Sequence, residues 1–85
     1  MAPYSDVWDP AAEDELTEIW RRSPDRSAVV RAADLIDRRL CQDPHRHGIP
    51  LSEGLWEITV PPLRAYYQID DVKKEVNVQH VNEVA

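Results

Sequence analysis

The sequence predicts an α+β fold. A helical hairpin packs on one face of a small, mainly antiparallel sheet, in the order β-α-α-β-β-β. Three observations carry this expectation. Apolar residues recur with a helical period up to about residue 42 and with period two from about residue 55. A capping residue followed by proline opens each helical stretch, Asp9-Pro10 and Ser23-Pro24. The strand-like runs that follow are joined by turns so short that neighbouring strands must be antiparallel.

Residues 4–8, YSDVW, read as a short leading strand. Asp9 is placed to cap the first helix, and Pro10 suits its first position, where a missing N–H costs nothing. Glu13, Asp14 and Glu15 lie in the early turns, where the helix dipole favours negative charge. Ala12, Leu16, Ile19 and Trp20 make one apolar stripe, and Arg21 and Arg22 end the helix. A second helix is expected over about 24–42, with Val29, Ala33, Ile36 and Leu40 as its stripe. Two helices joined this tightly form an αα-hairpin. Asp43-Pro44 stops the second helix, and residues 43–53 read as a polar loop with Pro44, Gly48 and Pro50.

After the loop the period changes. Trp56, Ile58 and Val60 alternate with Leu55, Glu57 and Thr59. Leu63, Ala65, Tyr67 and Ile69 alternate with Arg64, Tyr66 and Gln68; Val76 and Val78 alternate with Asn77 and Gln79. With Val60 opposite Leu63 across Pro61-Pro62, Thr59 faces Arg64 and Glu57 faces Tyr66. Glu57 is then a diagonal neighbour of Arg64. With Ile69 opposite Val76, Gln79 falls beside Tyr66 and Val81 beside Arg64. The expected open face is Glu57, Thr59, Arg64, Tyr66, Gln68, Asn77, Gln79 and Val81. Strict alternation turns His80 the other way, toward the helices with Val76 and Val78.

Composition bounds the function. The 85 residues fit one small domain spanning 1–85, which buries about 60–65% of its unfolded surface. No apolar run is long enough to span a bilayer, so no membrane association is expected. The opening MAPYSDVWDP lacks the basic and apolar regions of a signal peptide. A single cysteine, Cys41, excludes an internal disulfide and makes a reducing cytoplasm the default compartment. The net charge of -6 and pI of about 4.9 oppose non-specific nucleic-acid binding. The charge is uneven. Residues 1–20 carry six acids and no Lys or Arg, whereas residues 21–46 carry seven arginines against four aspartates.

Several residue types invite a chemical reading. Arg64 is the only Lys or Arg between Arg46 and Lys73. As a solvated strand residue paired with Glu57 it would contribute only about 0–1 kcal/mol. His80 reads as a core or edge histidine unless a bulge turns it outward. His45 and His47 form an H-x-H without a third ligand at fixed spacing, so no metal or cofactor is expected. Cys41 has no activating neighbour in sequence and reads as structural. Arg22, Arg26, Arg31, Arg38 and Arg39 form either a phosphate-binding stripe or a salt-bridged helix surface. The Glu18–Arg22 and Asp34–Arg38 spacings favour the surface. Trp8, Trp20 and Trp56 read as core or partner-facing anchors.

Taken in order, these segments resemble the RelE/ParE superfamily of type II toxin–antitoxin toxins. Ala12, Leu16 and Ile19 are similar to the family's A-x-x-x-L-x-x-I opening. GIPLSEGLWEITV resembles its G-x-P-L-x-G-L-x-x-I-x-V segment. LRAYYQID is similar to its Y-R-x-x-Y-x-I-D strand, with Arg64, Tyr67 and Ile69 in place, and VNVQHV to its final V-x-V-x-x-V strand. The resemblance implies a cytoplasmic toxin with an antitoxin partner, a role in plasmid stabilisation, and a homodimer among its open states. RelE-like members cut mRNA on the ribosome, and ParE-like members poison DNA gyrase. For the ribonuclease branch the resemblance implies Arg64 at the phosphate; Glu57 and His80 are the candidate acid–base groups, and Tyr66, Lys73 and Lys74 further candidate substrate contacts. Where many members carry two basic residues after G-L, this chain has Trp56 and Glu57; where many end V-x-x-V-x-x-R, it has Val81, Asn82, Glu83 and Val84. A catalytically silent, protein-binding member of the same fold is therefore the alternative, beside a gyrase inhibitor.

Overall fold

The computed structural model describes residues 3–84. The elements run β1 (Ser5–Trp8), α1 (Pro10–Arg22), α2 (Arg26–Gln42), α3 (Pro44–His47), β2 (Ile49–Pro50), β3 (Leu55–Val60), β4 (Leu63–Asp70) and β5 (Glu75–Glu83). The strands form one sheet in the order β1-β5-β4-β3-β2. β1 runs parallel to β5, and every other pairing is antiparallel. The α+β layering expected from the sequence is present, with α1 and α2 packed on one face.

The helix ends differ in detail from expectation. Asp9 is the N-cap of α1, but its side chain makes no capping bond. Its backbone N–H instead donates to the Val78 carbonyl at 2.8 Å, which fastens the start of α1 to β5. α2 opens at Arg26, two residues later than Ser23-Pro24 suggested, with Asp25 as the cap accepting from the Ala28 N–H at 3.1 Å. The reason is that Ser23 is already used. Its N–H closes α1 on the Trp20 carbonyl, and its hydroxyl accepts from the Asp25 N–H. Arg26 then donates to the Trp20 and Arg21 carbonyls at 3.0 and 2.8 Å, satisfying acceptors that α1 leaves free at its end.

The stretch expected to be a polar loop is partly ordered. Asp43 caps α3 through the Arg46 N–H, and Pro44 occupies its first position. Ile49–Pro50 then adds a short edge strand to β3. The buried Tyr67 hydroxyl donates to the Pro44 carbonyl at 2.7 Å and ties α3 to the sheet.

The core lies between the helix pair and the sheet. Val29, Ile36 and Leu40 meet Leu63, Tyr67 and Val76, all essentially without exposure. Each such side chain contributes about 1.5–3 kcal/mol by leaving water. On α2 it is Ala32 that is buried, with Ala33 at the margin, and Trp20 of the α1 stripe is 40% exposed. Trp20 is covered by the Arg26 guanidinium, 4.5 Å from the ring centroid.

The β3–β4 register is the expected one, with Thr59 opposite Arg64 and Glu57 opposite Tyr66. Between β4 and β5 it holds from Asp70–Glu75 to Tyr67–Val78 and then shifts, so that Tyr66 faces His80. Gln79 is the extra residue of a β-bulge. Beyond it every side chain changes face. Val81, expected on the open face, is 2% exposed against the helices; His80, expected inward, is turned out. The signal was in the spacing of Val76, Val78 and Val81, two residues and then three, which a regular strand cannot keep on one face.

Candidate functional site

The open face carries two rows of residues across three strands. One row is Glu57, Tyr66 and His80; the next is Thr59, Arg64 and Asn82. The bulge makes both rows. Without it Gln79 and Val81 would stand where His80 and Asn82 do. His80 and Glu57 are thus the two diagonal neighbours of Arg64, one on each side strand.

Arg64 is held loosely. Its Nε lies 3.4 Å from Thr59 Oγ1 and 3.4 Å from Glu57 Oε2. Both contacts are long for N–H···O bonds, and the pair is partly exposed, so solvent competes with it. His80 Nδ1 lies 3.4 Å from Glu15 Oε2, while Glu15 Oε1 accepts the Val81 N–H at 3.0 Å. One carboxylate from α1 therefore grips the strand just past the bulge and orients the imidazole. A carboxylate only accepts, so Nδ1 can donate to it in the tautomer that carries the proton there.

Around the end of β5 the face continues into an open cleft of about 670 Å³, lined by Arg22, Arg64, Asn82, Glu83 and Val84. Arg22 Nε is 3.5 Å from Glu83 Oε1. The expected Glu18–Arg22 pair is replaced by Glu18–Arg21 at 3.3 Å, which frees Arg22 for β5. Two members of the candidate arginine stripe are engaged within the protein: Arg26 on α1 carbonyls and Arg22 on Glu83.

Of the residues singled out in the sequence, Arg64, Glu57, Tyr66 and His80 come together. Lys73 and Lys74 do not. Their turn lies at the far end of β4 from Arg64, roughly 20 Å along the strand. Lys74 has a φ of 56°, and its Nζ sits 5.1 Å from the Tyr4 ring centroid. Arg22 and Asn82 were missed as cleft residues. Only the register shift and the end of α1 bring them there.

Two other clusters are structural in character. The Tyr4 hydroxyl donates to Asp71 at 2.6 Å, and His45 Nε2 lies 3.3 Å from the same carboxylate. The hydrogen bond from Tyr4 lowers the Asp71 pKa and raises that of Tyr4. Between β1 and α2, Trp8 Nε1–H donates to Asp37 at 2.8 Å, and Cys41 Sγ lies 3.2 Å from Asp6. Burial, then the neighbouring Asp6, pushes the Asp37 carboxyl up to about 7. Burial and Asp6 also push the Cys41 thiol up, which keeps it protonated and inert. Among the described residues no group of His, Cys, Asp or Glu is arranged to hold a metal ion, and no helix is long and apolar enough to cross a membrane.

Comparison with known proteins agrees with this architecture. A chain of the RelBE2 toxin–antitoxin complex from Mycobacterium tuberculosis superposes with a TM-score of 0.82 at 22% identity, over 98% of this chain and 93% of that one. A chain of the chromosomal ParDE system of P. aeruginosa gives 0.72 at 20% identity, covering 96% of this chain and 97% of that one. The isolated E. coli RelE toxin gives 0.67 at 20% identity, covering 96% and 85%. At these identities the likeness is one of fold. No curated protein matches in sequence. The model of the family described as the ParE toxin of the type II toxin–antitoxin system, parDE, matches residues 7–84. The chain therefore belongs to the ParE toxin family of type II toxin–antitoxin systems, within the RelE/ParE superfamily.

Proposed function

We propose that this toxin cleaves RNA by transphosphorylation on the open face of its sheet, with ribosome-bound mRNA as the target and a cognate antitoxin as its partner. One observation carries the reading. The bulge at Gln79 brings His80 into line with Tyr66 and Glu57, beside Arg64. A base, an acid and a cation thus stand on neighbouring positions of one solvent-facing surface. In the reaction the Glu57 carboxylate takes the proton of a ribose 2′-hydroxyl, which attacks the adjacent phosphorus. Arg64 stabilises the charge that builds on the phosphoryl oxygens. Protonated His80 gives its proton to the departing 5′-oxygen. The products are a 2′,3′-cyclic phosphate and a 5′-hydroxyl end. Tyr66, between base and acid, offers a ring against which a base stacks. The antitoxin partner is supported by the RelBE2 relative, which was solved as a toxin–antitoxin complex.

The test is expression in a bacterium lacking the neighbouring gene, with mapping of mRNA ends and a gyrase supercoiling assay on the same cells. Growth arrest with new 5′-hydroxyl ends, both removed by Arg64→Ala, is the expected result. Arrest with loss of supercoiling and intact messages would replace this reading with gyrase poisoning. Normal growth would identify a silent, protein-binding member.

A further inference from the structure

We propose that Arg22, from the C-terminal end of α1, is a second phosphate-contacting residue, so that the cleft holds two phosphates of one RNA strand, one at Arg64 and one at Arg22. This rests on the ribonuclease reading and specifies how the substrate is gripped. Three observations support it. Arg22 and Arg64 line the same cleft, together with Asn82, Glu83 and Val84. Arg22 is not committed to its own helix, because Glu18 pairs with Arg21 instead. Its only ionic partner among the described residues is Glu83, at 3.5 Å, with both side chains partly exposed.

The arrangement has a physical logic. A single arginine beside a glutamate is a weak anchor for a polyanion, and the chain is acidic overall. A second cation across the cleft doubles the number of phosphates neutralised. Glu83 and Glu57 are then stand-ins for the ligand. Each keeps one guanidinium extended over the surface until a phosphate displaces it, which a dianionic diester pair does more strongly than one exposed carboxylate. Arg22 comes from a different element than Arg64, beside the edge of β5 that β1 leaves uncovered beyond Val78.

The measurement is binding of a fluorescent single-stranded RNA hexamer to purified toxin across a KCl series. Each phosphate contact on a single strand contributes a slope of about -0.7 in log K against log salt. The wild type should give about -1.4. Arg22→Ala and Arg64→Ala should each give about -0.7, and the double variant a slope near zero. Arg22→Lys, which keeps the charge, should keep the wild-type slope. Glu83→Gln should tighten binding, by up to about fivefold. An unchanged slope in Arg22→Ala, with Arg64→Ala reduced, would overturn this proposal and leave the ribonuclease reading standing. No salt-dependent binding by the wild type would also overturn this proposal, whereas the ribonuclease reading falls only if no new 5′-hydroxyl ends appear in cells.

Discussion

Gly48 is the position where one added carbon should do most damage. A Cβ built there would lie 1.7 Å from the Tyr67 hydroxyl oxygen, 2.8 Å from Cζ and 3.1 Å from the Glu57 carbonyl. Tyr67 has no exposure and its hydroxyl is already bonded to the Pro44 carbonyl at 2.7 Å, so the ring has nowhere to retreat. Gly48→Ala must therefore break that bond and crowd the ring. Overpacking costs about 1–3 kcal/mol, and stranding a buried carbonyl about 1–3 kcal/mol more. The total is about 2–6 kcal/mol, against a whole-domain stability of about 4–13 kcal/mol for a chain of this length. Tyr67→Phe loses the same hydrogen bond without the clash, and should cost about 1–3 kcal/mol. Since both variants forfeit one shared bond, the double variant should be more stable than the sum predicts by about that amount. Urea unfolding of the four proteins measures this, with m held constant. Additivity within about 0.5 kcal/mol would refute the geometry.

The remaining predictions follow from the bulge and from the acidic pair beneath β1. Val81→Asp should unfold most of the protein, because Val81 is buried, whereas Asn82→Asp should change stability by no more than about 0.5 kcal/mol; the opposite order, read by circular dichroism, would mean an unbulged β5. Asp37 has a carboxyl raised from 3.8 to about 7 in the folded protein. Between those values the native state holds a proton that the unfolded state has lost, so this group's contribution falls as pH rises from about 4 to about 7. Asp37→Asn should flatten the pH profile of thermal stability in that window and gain on the wild type above pH 7; parallel profiles would count against the pair.

The legible part of this fold was what local chemistry decides. Proline after a capping residue, the dipole-matched charges of α1 and the alternation in β3 and β4 all announced their elements. The β3–β4 register followed from the two-residue Pro61-Pro62 turn, and with it the placement of Glu57 beside Arg64. What failed was set by competition between distant groups. Ser23 could not cap α2 because it was needed to close α1. The face of His80 depends on one inserted residue, and the strand's period of two breaks before Val81. Arg22 and Asn82 could not be found as cleft residues from sequence, since helix end and strand end meet only in three dimensions. Lys73 and Lys74 were grouped with Arg64 by charge, and strand length separates them.

β5 is made after every other element, yet it is the strand on which β1 and β4 both depend. Until the ribosome has delivered it, β1 has no strand to join, the start of α1 has no Val78 carbonyl to bind, and Arg64 has neither His80 nor Asn82 beside it. Such long-range closure is slow and comes late. A cell that aborts synthesis before about residue 75 releases a fragment without the proposed acid and without a closed sheet. On the proposed mechanism, activity therefore depends on β5, which supplies the acid and joins β1 to the rest of the sheet.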